Sequence, residues 1–352
     1  MLPLLLSALL LAPYGDPQVA FSFADPRITE SSGLVSSSLV DGVVFTHNDS
    51  GDEARFFAVG PDGQTLVTYT LPDVQARDWE DLARGPDEQG RTSLWLGDIG
   101  DNNAQRDNGI LVHRVREPVP GDDERVTTEP PTSFRLRYPD GPGDAEALLV
   151  HPRTGRLYVV SKPLAGPAKV YAAPPRLDAS GPNALELVAQ VDLTPTGTAG
   201  GPGIGGLAQL LVTAGDIAPD GSRVALRSYT DLYEWSIEGD DLAAAFAGEP
   251  TVTPLPVTRQ GEAVAYSRDG RSVLVSSEGA GAPVHRLAAQ PGGTARPEPA
   301  QPRAQPTGTA AEPRQTAQPE GDFPVGTVLV LSALGVVAVV LAVRRRRRST
   351  GR

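Results

Sequence analysis

Short apolar runs, alternating with polar residues and bounded by Gly, Pro, Asp or Asn, recur throughout residues 18–287. The strings EALLVHPRTGRLYVVSK (146–162), GDIAPDGSRVALRSYTD (215–231) and EAVAYSRDGRSVLVSSE (262–278) share one plan. Each has an aliphatic strand, a tight turn carrying Gly155, Gly221 or Gly270 where a hairpin needs positive φ, and a second alternating strand. EDLARGPDEQGRTSLWLGD (80–98) is the same unit with a longer turn, and SSGLVSSSLVDGVVFTHND (31–49) is a fifth copy. Third strands follow at ARFFAV (54–59), GILVHRV (109–115), AKVYAA (168–173) and DLYEWSI (231–237). Fourth strands follow at QTLVTYTL (64–71), TSFRLRY (132–138) and ALELVAQVDL (184–193).

The aligned aliphatics Leu34, Leu82, Leu148, Ile217 and Val264 lie 48, 66, 69 and 47 residues apart, which suits four-stranded antiparallel blades with loop insertions. The last unit lacks a fourth strand after APVHRLA (282–288), while PQVAFSF (17–23) stands unpaired ahead of the first. Joining them closes a ring and removes two exposed sheet edges. The pattern therefore predicts an all-β chain folded as a β-propeller of five blades, with a sixth open if residues 190–212 supply strands. A β-sandwich with similar hairpins is the competing arrangement.

In such a ring the loop entering each innermost strand and the loop between second and third strands share one face. That rule gathers Asp49, Asp52, Asp78, Glu80, Asp98, Asp101, Asp144, Glu146, Asp216, Glu262 and Glu278 near one mouth of the channel. Clustered carboxylates raise one another's pKa and are stabilised by a hard cation with oxygen ligands, so calcium is the expected ion. Asn48, Asn102 and carbonyls of the GDIGDN loop can complete its shell, although no EF-hand spacing is present. Each acidic residue also has an ordinary reading as a turn or strand-start residue. His47, Lys162 and Arg227 fall on the same face, with Arg77, Arg106 and Arg259, and either neutralise the carboxylates or help hold an anion through a bridging metal.

Catalytic groups are sparse in this pattern. His113 and His285 fall in third strands, His151 precedes a hairpin on the opposite face, and only His47, in FTHNDSGD, lies beside the acidic mouth. Ser50 is the nearby hydroxyl, but no GxSxG elbow exists. Trp79 and Trp95 read as packing between blades.

Composition sharpens the picture at a few points. Gly 38 and Pro 34 favour turns over long helices, hydrophobic residues at 39% can build a core, and the absence of Cys removes disulfides and thiolate metal sites. The net charge of −12 disfavours nucleic acid and favours a cation, a basic protein or a cell-wall polymer as partner. MLPLLLSALLLAP reads as a signal peptide within residues 1–17. Residues 288–324, rich in Pro, Ala, Gly and Thr, read as a semi-extended stalk. VGTVLVLSALGVVAVVLAV (325–343) reads as one membrane-spanning helix, and the arginines within 344–352 place the C-terminus inside and the propeller outside the cell membrane.

The strings THNDSG, DWEDLA, GDIGDNNAQR, ALRSYTDLYEW and QGEAVAY together resemble secreted or membrane-bound bacterial propeller proteins grouped loosely with the phytase-like and esterase-like propellers. The resemblance spans residues 28–287 and implies a propeller with calcium in an acidic mouth, as in propeller phytases. Their catalytic residues find no one-by-one match here. Two functions follow as expectations: an anchored binding or sensing ectodomain, or a calcium-dependent ester or phosphoester hydrolase.

Overall fold

A computed structural model describes residues 14–290 of the 352-residue chain. Within them the chain forms five sheets around one axis, antiparallel except where a short parallel outer strand is added to two of them. Blade 1 comprises β2 (Ser31–Ser36), β3 (Val44–Asn48), β4 (Arg55–Val59) and β5 (Thr65–Thr70), following β1 (Gln18–Ser22). Blade 2 comprises β6 (Trp79–Pro86), β7 (Thr92–Asp98), β8 (Ile110–Arg116) and β10 (Thr132–Arg137), while β9 (Arg125–Thr127) crosses back to pair with β5. Blade 3 holds β11 (Ala145–Val150), β12 (Leu157–Ser161), β13 (Ala168–Ala172) and β15 (Glu186–Val191), while β14 (Pro182–Ala184) extends blade 2. Blade 4 holds β16 (Val212–Ile217), β17 (Arg223–Ser228), β18 (Asp231–Ser236) and β19 (Thr251–Pro254), and blade 5 holds β20 (Gly261–Tyr266), β21 (Ser272–Ser277) and β22 (Pro283–Ala288).

The ring closes as the unpaired strands require. β1 pairs antiparallel with β22, Gln18 opposite Arg286, and becomes the outer strand of blade 5. Tyr14 bridges Ala289, and its hydroxyl donates to Glu234 Oε1 at 2.8 Å, so the folded unit takes in residues just outside the expected 18–287 span. Residues 190–212 add no further blade, because beyond the end of β15 they carry only a short 3-10 helix, Gly205–Gln209. The remainder of the expected leader, the stalk, the span at 325–343 and the arginine tail lie outside the described residues. Among the described residues no helix is long and apolar enough to cross a membrane.

The two residue periods explain the packing. Both faces of an inner strand meet a neighbouring blade, so β2, β11 and β20 are buried along their whole length. Five apolar clusters result, one at each blade interface, such as Val35, Phe45 and Phe56 against Trp79, Leu82 and Leu94 between blades 1 and 2. The inner hairpins turn on Gly42, Gly90, Gly155, Gly221 and Gly270, each with φ between 68° and 73°, a conformation costly for any residue with a Cβ.

Candidate functional site

All five inner strands break register at the same end. The pairing with the second strand slips between Ser31 and Leu34, Trp79 and Asp81, Ala145 and Ala147, Val212 and Ala214, and Gly261 and Val264. Such bulges re-aim side chains at the rims of closed sheets. The residue after each first pair is Ser32, Glu80, Glu146, Thr213 or Glu262, one from every blade. Ser32 Oγ donates to Glu80 O at 2.5 Å, and Thr213 Oγ1 donates to Gly261 O and Glu262 O at 3.0 and 3.1 Å, so the two hydroxyl positions stitch each blade to the next. The three glutamates occupy the equivalent positions of the other blades.

Around Glu80 the loops add further carboxylates. Asp49, Asp78 and Glu80 each offer an oxygen within 4.8 Å of the others, and Glu80, Asp144 and Glu146 do the same. Glu80 belongs to both groups. Gly100 makes this crowding possible, because a Cβ there would collide with the carboxylates of Glu80 and Asp78. The GDIGDN loop is shaped by Asp98, which accepts from the Arg77 and Asp78 backbone at 3.3 and 3.1 Å and pairs with Arg106 at 2.6 Å. Asp101 accepts from the backbone of Gln105 and Arg106, and its own N–H donates to Asp144 Oδ1 at 2.8 Å.

Electrostatics follow from this burial. Desolvation first, then Glu146 and Asp78, pushes the Asp49 carboxyl up to about 8. Burial raises Asp78 to about 6 and Glu146 to about 7, the latter despite Lys162. Glu80 is held well above the ordinary carboxylate range by burial and by Glu146, Asp49 and Asp78. On blade 5, burial lifts Glu278 to about 7, and Glu262 is raised well above its usual range. Glu262 is 4% exposed, and its Oε2 has no hydrogen-bond partner. Lys162 Nζ donates to Glu146 Oε1 at 2.6 Å and sits 4.9 Å from the centroid of the Tyr229 ring.

The remaining expected site residues have other surroundings. Asp52 pairs with Arg55 at 2.7 Å and accepts from Asn48 Nδ2 at 2.7 Å, outside both groups of converging oxygens. Asp98 and Asp101 are engaged with Arg106 and the backbone, and Asn102 is exposed. His47 is buried between blades 1 and 2, donating Nδ1–H to Asn48 O at 2.8 Å and meeting Trp79 edge-on, 5.5 Å between ring centroids. Arg227 is buried, donates to Ser228 O, Ala263 O and Ser276 O, and ties blade 4 to blade 5. Asp216 lies away from the mouth. Ile217 pairs with Val224 at the far end of its strand, as Val150 does with Leu157, so Gly215 and not Ile217 matches Leu148. The Asp216 carboxylate accepts from the backbone of Ile217 and Tyr266, both at 2.7 Å.

Three contributors were not foreseen: Gly100, Tyr229 and Asp81. Asp81 is fully buried, and its carboxylate accepts from the backbone N–H of Leu82, Leu148 and Gly215 at 2.8, 2.9 and 3.2 Å, joining blades 2, 3 and 4 at the axis. Consecutive Glu80 and Asp81 in an otherwise alternating strand are the signal that could have revealed the bulge.

No protein-family model matches the sequence, and no curated protein does. Among solved structures the chain is similar to a gluconolactonase from Xanthomonas campestris, at 14% identity and a TM-score of 0.38 over 79% of this chain and 97% of that one. It is similar to a chain of a nidogen/laminin complex at 16% identity and 0.39, over 72% and 74%. It is similar to the WD40 repeats of RRP9 at 8% identity and 0.39, over 78% and 100%.

Proposed function

We propose that this propeller is a binding or sensing module whose mouth takes a divalent cation, calcium by the chemistry of its donors. The observation that carries the reading is Glu80, shared by two groups of three carboxylates whose oxygens converge within 4.8 Å. Oxygens bound to one calcium at about 2.3–2.6 Å must lie within such a span of each other, and an all-oxygen donor set suits a hard cation. Asp49, Asp78, Glu80, Asp144 and Glu146 would hold the ion, which would supply positive charge to a set of acids that burial otherwise keeps partly protonated. The apolar run at 325–343 with its arginines supports presentation of the mouth outside the cell on a stalk. A basic protein or an acidic wall polymer bridged through the ion are the partners such a face suits.

One observation favours a second reading, a metal-dependent ester or phosphoester hydrolase: the Glu262 oxygen that is buried without a partner could take a proton from water. Titration calorimetry with calcium, and with magnesium as control, on the full chain tests the first reading, and an ester and phosphoester panel tests the second. Heat that disappears in Glu80→Gln supports binding. Turnover abolished by a chelator replaces the binding reading with hydrolysis, and no calcium heat removes both.

A further inference from the structure

The two carboxylate groups sharing Glu80 are not equivalent. Among the described residues Asp49, Asp78 and Glu80 form no direct salt bridge, although Arg106 and Arg77 act on Asp78 from a distance, whereas Glu146, in the group with Glu80 and Asp144, already bonds Lys162 at 2.6 Å. The ammonium is fixed from a second side by the Tyr229 ring at 4.9 Å, and both side chains of the pair are largely buried, 13% exposed for Lys162 and 6% for Glu146. Two divalent ions sharing one carboxylate is a familiar arrangement, with about 3.5–4 Å between the ions. Here the second position is taken by the protein's own side chain.

We propose that Lys162 is a built-in cation that limits the mouth to a single divalent ion, a statement that rests on the reading of the mouth as a cation site. An ammonium is a compact point charge, so it can stand where an ion would, at half the charge. Glu262 supports this independently. Its buried Oε2 is unpartnered, and Lys162 and Glu146 are the charges that act on it most strongly. The second half of the mouth therefore holds an oxygen donor that Lys162 leaves unsatisfied and a second divalent ion could use. Removing the ammonium frees Glu146 for such an ion and leaves the side chains of Asp49, Asp78 and Glu80 unaltered.

The test is calcium stoichiometry by calorimetry on the full chain. The wild type takes one ion, Lys162→Met takes two, and Lys162→Arg, which keeps the charge, takes one. A wild type that takes two, or a Lys162→Met variant that still takes one, overturns the inference and leaves the proposed function standing. No binding by either protein sinks both, and binding by the variant alone also overturns both, because the wild-type mouth then takes no ion. A readout on the unaltered protein covers a variant that does not fold. Lys162 and Lys169 are the only lysines, and Lys169 is surface-accessible, so amine-reactive labelling mapped by peptide mass gives an internal reference. Lys162 stays protected with and without calcium if ion and ammonium coexist, and calcium-induced labelling of Lys162 overturns the inference.

Discussion

Replacing Glu80 with Gln should raise the stability of the calcium-free protein and abolish its response to calcium. Glu80 is 2% exposed and meets carboxylates on both sides. Two ionised carboxylates within 4.8 Å of each other repel by at least about 3–4 kcal/mol at an effective dielectric of 20. The fold answers by keeping Glu80 protonated well above its ordinary value of 4.5. The unfolded chain ionises near that ordinary value, so the folded form binds the proton more tightly. Stability from this source is complete below the unfolded value and is lost as pH rises towards the folded one, at about 1.4 kcal/mol per pH unit. Gln has the shape of the protonated acid without that cost, and a gain on the order of 2 kcal/mol at pH 7.5 follows, or about 4–8 °C in Tm for a domain of this size. Calcium at a hundred times its Kd should stabilise the wild type by about 2.7 kcal/mol and the variant hardly at all. Differential scanning fluorimetry at pH 5.5 and 7.5, with calcium or chelator, reads all of these values. A variant that melts lower than the wild type in chelator at pH 7.5, or that keeps the calcium shift, would refute the reasoning.

Calcium affinity should fall as pH drops from 8 to 6, because Asp49 (about 8), Glu146 (about 7) and Asp78 (about 6) take up protons that compete with the ion. Calorimetry should show a loss of about tenfold per pH unit for each proton displaced, and a flat profile would contradict it. Gly100→Ala should fold yet bind calcium at least about tenfold more weakly, since its Cβ displaces the Glu80 and Asp78 carboxylates; unchanged affinity would deny Gly100 its role. Asp81→Ala should lose about 3–9 kcal/mol in urea unfolding, because three buried N–H groups from three blades lose their acceptor at about 1–3 kcal/mol each. A loss under 1 kcal/mol would mean that water replaces the carboxylate.

The ring was legible because a hairpin advertises itself. Glycine at the positive-φ position and strict alternation on either side are local properties, and the stranded β1 could only pair with the incomplete last blade. The site was legible only to loop resolution. Which carboxylates converge depends on bulges, and a bulge inverts the side-chain parity that sequence reading relies on. Asp98, Asp101 and Asp52 are the same residue type as Asp78 and lie in or beside loops of the same face, yet Arg106, Arg55 and backbone donors engage them. Asp216 was misplaced for a related reason. The aliphatic Ile217 stands four residues before its turn glycine Gly221, near the end of its strand, where it corresponds to Val150 and not to Leu148, which precedes Gly155 by seven.

The five bulge positions supply an internal comparison. At Ser32 and Thr213 a short hydroxyl bonds the backbone of the following blade and satisfies itself within the fold. The same backbone geometry at Glu80, Glu146 and Glu262 carries a longer acid that burial disfavours as an ion. A propeller built only for stability has no use for three acids where a hydroxyl suffices, since desolvating each carboxylate works against folding. The cost becomes intelligible once positive charge is supplied. Lys162 provides one unit beside Glu146, and the excess of carboxylates over resident cations around Glu80 is the shortfall that a bound divalent ion would meet.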